Sequence, residues 1–253
     1  MRTAMAISVT VLLTATGATY SAQSVAAGGG ETCRGVTATI VGTDQRDVIT
    51  GTPGRDVVAA RKGFDRIDGR GGNDLICGGR GADHLLGGPG RDRLYGEADG
   101  LLFGEDQYGD DLVGGPGHDL LDGGPGLGGR DRGLDVLRYP NARSRLRIDL
   151  GANTARLGEQ RDTVYSIEEV NGTRFADVIR GDRYFQFLSG YGGADRMYGR
   201  GGPDFMFGDD GDDEVRGGIG RDILDGGTGT DVAYGGPAAD RCSAFEQQHG
   251  CES

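Results

Sequence analysis

Five aspartates, Asp56, Asp65, Asp74, Asp83 and Asp92, stand nine residues apart, each two residues after a glycine: Gly54, Gly63, Gly72, Gly81 and Gly90. Downstream the pattern returns as Asp195, Asp204, Asp213, Asp222 and Asp231 behind Gly193, Gly202, Gly211, Gly220 and Gly229, and Asp119 has the same setting in GGPGHDLLD, residues 114–122. Carboxylates at a fixed interval beside flexible backbone are oxygen donors for a hard cation. Ca²⁺ takes about six to eight oxygens in flexible geometry, whereas Mg²⁺ demands a tighter octahedron and keeps its waters. Softer metals would need Cys/His clusters that this chain does not offer. Several Ca²⁺ ions are therefore the expected cofactor.

Catalytic chemistry is less well supplied. His84, His118 and His249 are scattered, and Glu168 and Glu169 are neighbours, so on a strand they face opposite ways. Asp209, Asp210, Asp212 and Asp213 read as solvated turn residues. No G-x-S-x-G, H-E-x-x-H or phosphate-binding loop is present. The chain is expected not to be an enzyme; a carbohydrate-modifying alternative would have to use carboxylates such as Asp149 or Glu168.

The elements that position the aspartates follow from the spacing. In GRGGNDLIC, residues 69–77, the glycines of the first six positions permit a tight turn, and the last three residues form a short strand. The strand period of two sends position eight inward, the slot of Val58, Ile67, Ile76, Leu85 and Leu94, and later of Met197, Met206, Val215 and Leu224. Two such units make one flattened coil with a sheet on each side, an all-β architecture. One apolar residue in nine is a thin core for a glycine-rich backbone. Stacking also brings each aspartate near the one two units away, so the metal-free chain is expected to fold poorly.

Bulk properties agree with a metal-organised fold. The 253 residues include 52 glycines and no tryptophan, only 36% are hydrophobic, and the net charge is −12. That composition alone suggests disorder, but the fixed phase of the acids is the mark of a repeat architecture. An acidic chain is not expected to bind nucleic acid. Residues 1–27, with Arg2, an uncharged Ala/Val/Leu/Thr stretch and small residues up to Ala27, read as a secretory signal peptide. Its removal would leave no membrane span in the mature chain and a charge of −13. Cys33, Cys77, Cys242 and Cys251 suit an oxidising exterior. Three pairings are open, and the favoured one joins Cys242 with Cys251 and hence Cys33 with Cys77; reduced buried thiols are the alternative.

The arrays resemble the RTX, or haemolysin-type, calcium-binding repeat family through the pattern G-G-x-G-x-D-x-U-x. The resemblance implies a parallel β-roll, a β-solenoid of glycine/aspartate-rich nonapeptide repeats, in which Ca²⁺ lies between turns two repeats apart. Carried over, it makes the position-six aspartates the side-chain ligands, with carbonyls near Gly54, Gly72, Gly193 and Gly211 among the backbone donors. The N-terminal composition, the repeat register and the cysteines divide the chain into signal peptide 1–27, lead-in 28–41, first array 42–126, irregular β connecting segment 127–171, second array 172–240 and a disulfide-bearing cap 241–253. Departures fall at residues 60–62 (Ala-Arg-Lys), at residues 96–104, and at Gln186, which stands in the aspartate slot. The expected function is that of a secreted, extracellular calcium-binding protein that folds on meeting calcium. A cell-wall or other extracellular glycan is an alternative partner, with Tyr95, Tyr198, Phe207 and Tyr234 at position nine as a candidate aromatic stripe.

Overall fold

The computed structural model describes residues 30–98, 108–124 and 133–252. The expected signal peptide, residues 1–27, and residues 99–104 of the expected register break at 96–104 lie outside the described residues. The chain divides into two compact units, Met1–Pro116 with Gly124–Gly133, and Gly117–Gly123 with Leu134–Ser253. Both are parallel β-solenoids.

The first unit contains β1 (Thr32–Cys33), β2 (Val36–Thr37), β3 (Ile40–Val41), β4 (Val48–Thr50), β5 (Val57–Ala59), β6 (Arg66–Asp68), β7 (Leu75–Arg80), β8 (His84–Leu86), β9 (Arg93–Ala98) and β10 (Tyr108–Val113). From β3 on, odd and even strands go to opposite sheets, in the orders β3-β5-β7-β9 and β4-β6-β8-β10. Each of these strands pairs in parallel with the next one in its sheet; Ile76 of β7 lies between Val58 and Leu94. This register puts Ile49, Val58, Ile67, Ile76, Leu85, Leu94 and Leu112 inside, all at most 4% exposed. The expected three-residue rung and inward position eight are both present.

β1 and β2 form an antiparallel pair. Cys33, Ala38, Val57, Ala59, Leu75 and Cys77 cluster there, so the lead-in covers apolar residues at positions seven and nine that a bare roll would leave wet. The Cys33–Cys77 disulfide joins the lead-in to β7.

The second unit contains β11 (Leu120–Asp122), β12 (Leu134–Leu137), β13 (Leu146–Asp149), a 3₁₀ turn (Leu150–Ala152), β14 (Thr154–Leu157), β15 (Gln160–Tyr165), β16 (Glu169–Asn171), β17 (Val178–Arg180), β18 (Phe187–Ser189), β19 (Arg196–Gly201), β20 (Phe205–Phe207), β21 (Glu214–Ile219), β22 (Ile223–Asp225), β23 (Val232–Tyr234), β24 (Arg241–Ser243) and β25 (Gln247–His249). Its sheets run β11-β15-β14-β13-β17-β19-β21-β23-β25 and β12-β16-β18-β20-β22-β24. The connecting segment stays in the solenoid: β13, β14 and β15 form an antiparallel meander, and β13 then pairs in parallel with β17. Its alternation is that of a half-buried strand, with Leu146 and Ile148 inside and Arg145 and Arg147 exposed. The Cys242–Cys251 disulfide closes the C-terminal end, as the favoured pairing expected.

Candidate metal centre

The turns bring the position-six side chains into two buried files. In the first unit the backbone N–H groups of Asp47, Asp65 and Asp83 donate to Oδ1 of Asp65, Asp83 and Asp110, each at 2.7 Å. On the other side Asp56 donates to Asp74 and Asp74 to Asp92, both at 2.8 Å. The second unit repeats this through Asp177, Asp195, Asp213 and Asp231, and through Gln186, Asp204, Asp222 and Asp240. Asp119 donates to Asp162 Oδ1 at 2.9 Å. Glu246 ends one file by accepting from the Asp231 N–H at 2.5 Å. In most of these turns one carboxylate oxygen is thus committed to the backbone two repeats earlier.

The other oxygen has a different fate. Oδ2 of Asp65, Asp74, Asp195, Asp204, Asp213, Asp222, Asp231 and Asp240 is buried without a hydrogen-bond partner. A Cβ added to Gly69, at position one, would lie 2.7 Å from Asp74 Oδ2 and 2.7 Å from the carbonyl oxygen of Gly87. At Gly87 the corresponding distances to Asp92 Oδ2 and Gly114 O are both 2.6 Å. Absence of a side chain there leaves a cradle edged by a carboxylate and a backbone carbonyl two repeats apart. Position four is equally tight: a Cβ on Gly90 would overlap Gly72 O, and one on Gly229 would overlap Gly211 O.

Electrostatics disfavour the ionised form of these carboxyls when no cation is near. Burial pushes the Asp195 carboxyl up to about 8, aided by the charges of Asp177, Asp213 and Asp209, and opposed by the Asp177 N–H. Burial likewise raises Asp65 and Asp204 to about 7, and Asp92 and Asp213 to about 6, with neighbouring aspartates adding to it. Asp74, Asp222 and Asp231 move in the same direction for the same leading cause. Buried carboxylates ionise readily only when paired or bound to metal. Among the described residues no three His, Cys, Asp or Glu side chains converge into a site made of side chains alone. Donors that mix a carboxylate with carbonyls fit a hard, oxygen-seeking ion such as Ca²⁺.

All the sequence-expected aspartates, Asp56, Asp65, Asp74, Asp83, Asp92, Asp119, Asp195, Asp204, Asp213, Asp222 and Asp231, lie in these files and are at most 5% exposed. The sequence-expected ligand set leaves out Asp47, Asp110, Asp135, Asp162, Asp177 and Asp240, although Asp110 and Asp177 recover the repeat register, and all six are buried in the same way. The signal for them was the shorter pattern of aspartate, any residue, then an apolar one, as in Asp135-Val136-Leu137 and Asp162-Thr163-Val164. Asp162 is held differently, by the Tyr139 hydroxyl at 2.9 Å and Gln160 Nε2 at 2.7 Å.

Other candidates have structural partners. Asp149 takes a two-point ion pair from Arg200 at 2.7 and 2.8 Å, and Glu168 accepts from the Asp135 N–H at 3.2 Å. His84 Nδ1 lies 2.9 Å from Asp111 Oδ2, and His118 Nδ1 accepts from the Arg161 N–H. The position-nine aromatics do not form one stripe. Tyr198 and Tyr234 share the β19–β23 sheet with Arg216, whose guanidinium lies over both rings, whereas Phe207 is on the opposite sheet beside Phe187. Tyr95 is covered by Arg34.

Among the described residues no helix is long and apolar enough to cross a membrane. No curated protein matches the chain. The profile of the RTX calcium-binding nonapeptide repeat matches residues 38–63, 50–85, 78–99, 106–126, 171–206 and 207–242, well over half the chain. With the parallel roll and its aspartate files, this places the chain in the RTX calcium-binding nonapeptide repeat family.

Proposed function

We propose that this is a secreted calcium-binding protein whose turns take several Ca²⁺ ions and whose folding is coupled to that binding. The observation that carries the reading is the row of buried, hydrogen-bond-free Oδ2 atoms, most of which, as at Asp74, Asp195, Asp204, Asp213 and Asp222, lie beside a glycine cradle and a carbonyl two repeats on. The position-six aspartates with these free oxygens supply the side-chain ligands, and glycine carbonyls of neighbouring turns supply the rest. Bound calcium supplies the positive charge that lets the buried carboxylates ionise together. Asp149 and Glu168 are committed to Arg200 and to backbone, which supports a non-enzymatic role. Two disulfides support an oxidising, extracellular destination.

Isothermal titration of the chelator-treated protein tests the reading. Calcium should bind at more than one equivalent and magnesium far more weakly; equal heats for the two ions, or none for calcium, would refute it.

A further inference from the structure

Four turns resemble the others in sequence but are closed by the chain itself. In residues 42–47 the Thr43 N–H and hydroxyl donate to Asp47 Oδ2 at 2.5 and 3.0 Å. In residues 51–56 Thr52 does the same to Asp56 Oδ2, at 2.6 and 3.0 Å. In residues 172–177 the Thr173 N–H reaches Asp177 Oδ2 at 2.5 Å and its hydroxyl reaches Oδ1 at 2.9 Å. In residues 181–186 Gln186 replaces the aspartate: its Oε1 accepts from the Asp182 N–H at 3.2 Å, and its Nε2 donates to Asp182 Oδ1 at 2.6 Å. Each donor sits at position two, four residues before the side chain it satisfies. These are the first two turns of each array, one for each sheet.

Backbone conformation separates the same four turns from the other described repeats of the two arrays. Position two is left-handed at Arg61 (φ 85°), Arg70 (φ 70°), Tyr191 (φ 71°), Arg200 (φ 74°) and Asp209 (φ 68°), and at Gly79, Gly88, Gly218, Gly227 and Gly236. Thr43, Thr52, Thr173 and Asp182 do not have positive φ. A β-branched residue strongly disfavours that region, so threonine at position two enforces the other turn and then donates twice to the carboxylate.

Cations of the chain add to the closure. Lys62 Nζ lies 2.8 Å from Asp44 Oδ2 and Arg61 Nε 3.3 Å from Asp44 Oδ1, bridging turns 42–47 and 60–65 on one side. Arg200 donates to Gly181 O at 3.0 Å while pairing with Asp149, bridging turns 181–186 and 199–204. The irregular Ala-Arg-Lys thus brings a fixed positive charge between two turns.

We infer that the position-two residue selects which turns take metal: Thr43, Thr52, Thr173 and Asp182 close their own turns, so each array begins with a calcium-independent turn on both sheets. The remaining turns, with glycine or another left-handed residue at position two, add to this start as calcium binds. The inference rests on the calcium reading for those later turns, whereas the locked turns stand on their own hydrogen bonds.

Two measurements on the full chain test it. By segment-resolved hydrogen exchange in chelator, residues 43–60 and 173–189 should be protected at least about tenfold more than residues 193–240, as expected of the more stable local units. Thr52→Val and Thr173→Val should reduce that protection, and calcium should protect 193–240 in the wild type. By calcium stoichiometry, Asp56→Asn and Asp177→Asn should leave the number of bound ions unchanged, whereas Asp204→Asn and Asp213→Asn should lower it. Uniform exchange in chelator, or loss of an ion in Asp56→Asn or Asp177→Asn, would overturn the inference. Protection of 43–60 and 173–189 in chelator, with no calcium effect at 193–240, would uphold the locked turns and refute the calcium reading instead.

Discussion

At the scale of the residue, the decisive feature is a carboxylate with two unlike oxygens. Asp204 Oδ1 accepts from the Gln186 N–H at 2.9 Å, while Oδ2 is buried without a partner. Asp204→Asn keeps an acceptor for the backbone but removes the charge. Its calcium midpoint should rise about tenfold, the ~1.4 kcal/mol of one charge-assisted contact, measured by titration against the wild type. The raised carboxyl pKa values give a pH prediction for the metal-free protein. Asp65, Asp92, Asp195, Asp204 and Asp213 move from the ordinary 3.8 to between about 6 and about 8. Below about pH 4 they are protonated in both the folded and the unfolded chain, and their ionisation sets folded against unfolded no differently. As pH rises from about 4 to about 8 the unfolded chain releases these protons first, so the folded metal-free roll loses stability through that window. Far-UV circular dichroism in chelator should therefore report more β structure at pH 4.5 than at pH 8.

At the scale of the element, each repeat couples a turn to a rung. Gly72 shows why a side chain is excluded from the turn: its φ is 140°, and a Cβ would come within 2.7 Å of Gly54 O. Gly72→Val should weaken the first unit and leave exchange in residues 193–240 unchanged. The lead-in is held by Cys33–Cys77, which closes a separation of 44 residues. Replacing both cysteines by serine should cost the first unit about 4 kcal/mol on the chain-entropy scale, read from denaturant unfolding followed in that unit. These elements also show how far the sequence could be read. The strand phase, the inward apolar slot and the aspartate files were legible because a strict nine-residue count fixes them all together. The β13–β14–β15 meander was legible only as one half-buried strand, since its return strands carry no repeat. The position-two locks escaped notice because Thr52 and Arg70 occupy equivalent places in the count, and only φ and the side-chain hydrogen bond tell them apart.

At the scale of the whole molecule, the chain carries a charge of −12 and buries a file of aspartates in each face of its solenoid units. On the proposed function, an apolar line of one residue per repeat, with like charges stacked beside it, needs a counter-ion. Divalent ions between turns would offset both the net charge and the local repulsion, so binding free energy becomes folding free energy. The measurement that tests this most directly is far-UV circular dichroism of the chain freed of residues 1–27, titrated with calcium at neutral pH and with magnesium in parallel. The account predicts a cooperative gain of β signal with calcium, from a chelator baseline that retains only the locked first turns, and little change with magnesium. A spectrum already fully β in chelator and indifferent to calcium would contradict it, and would leave the roll held by packing and disulfides alone.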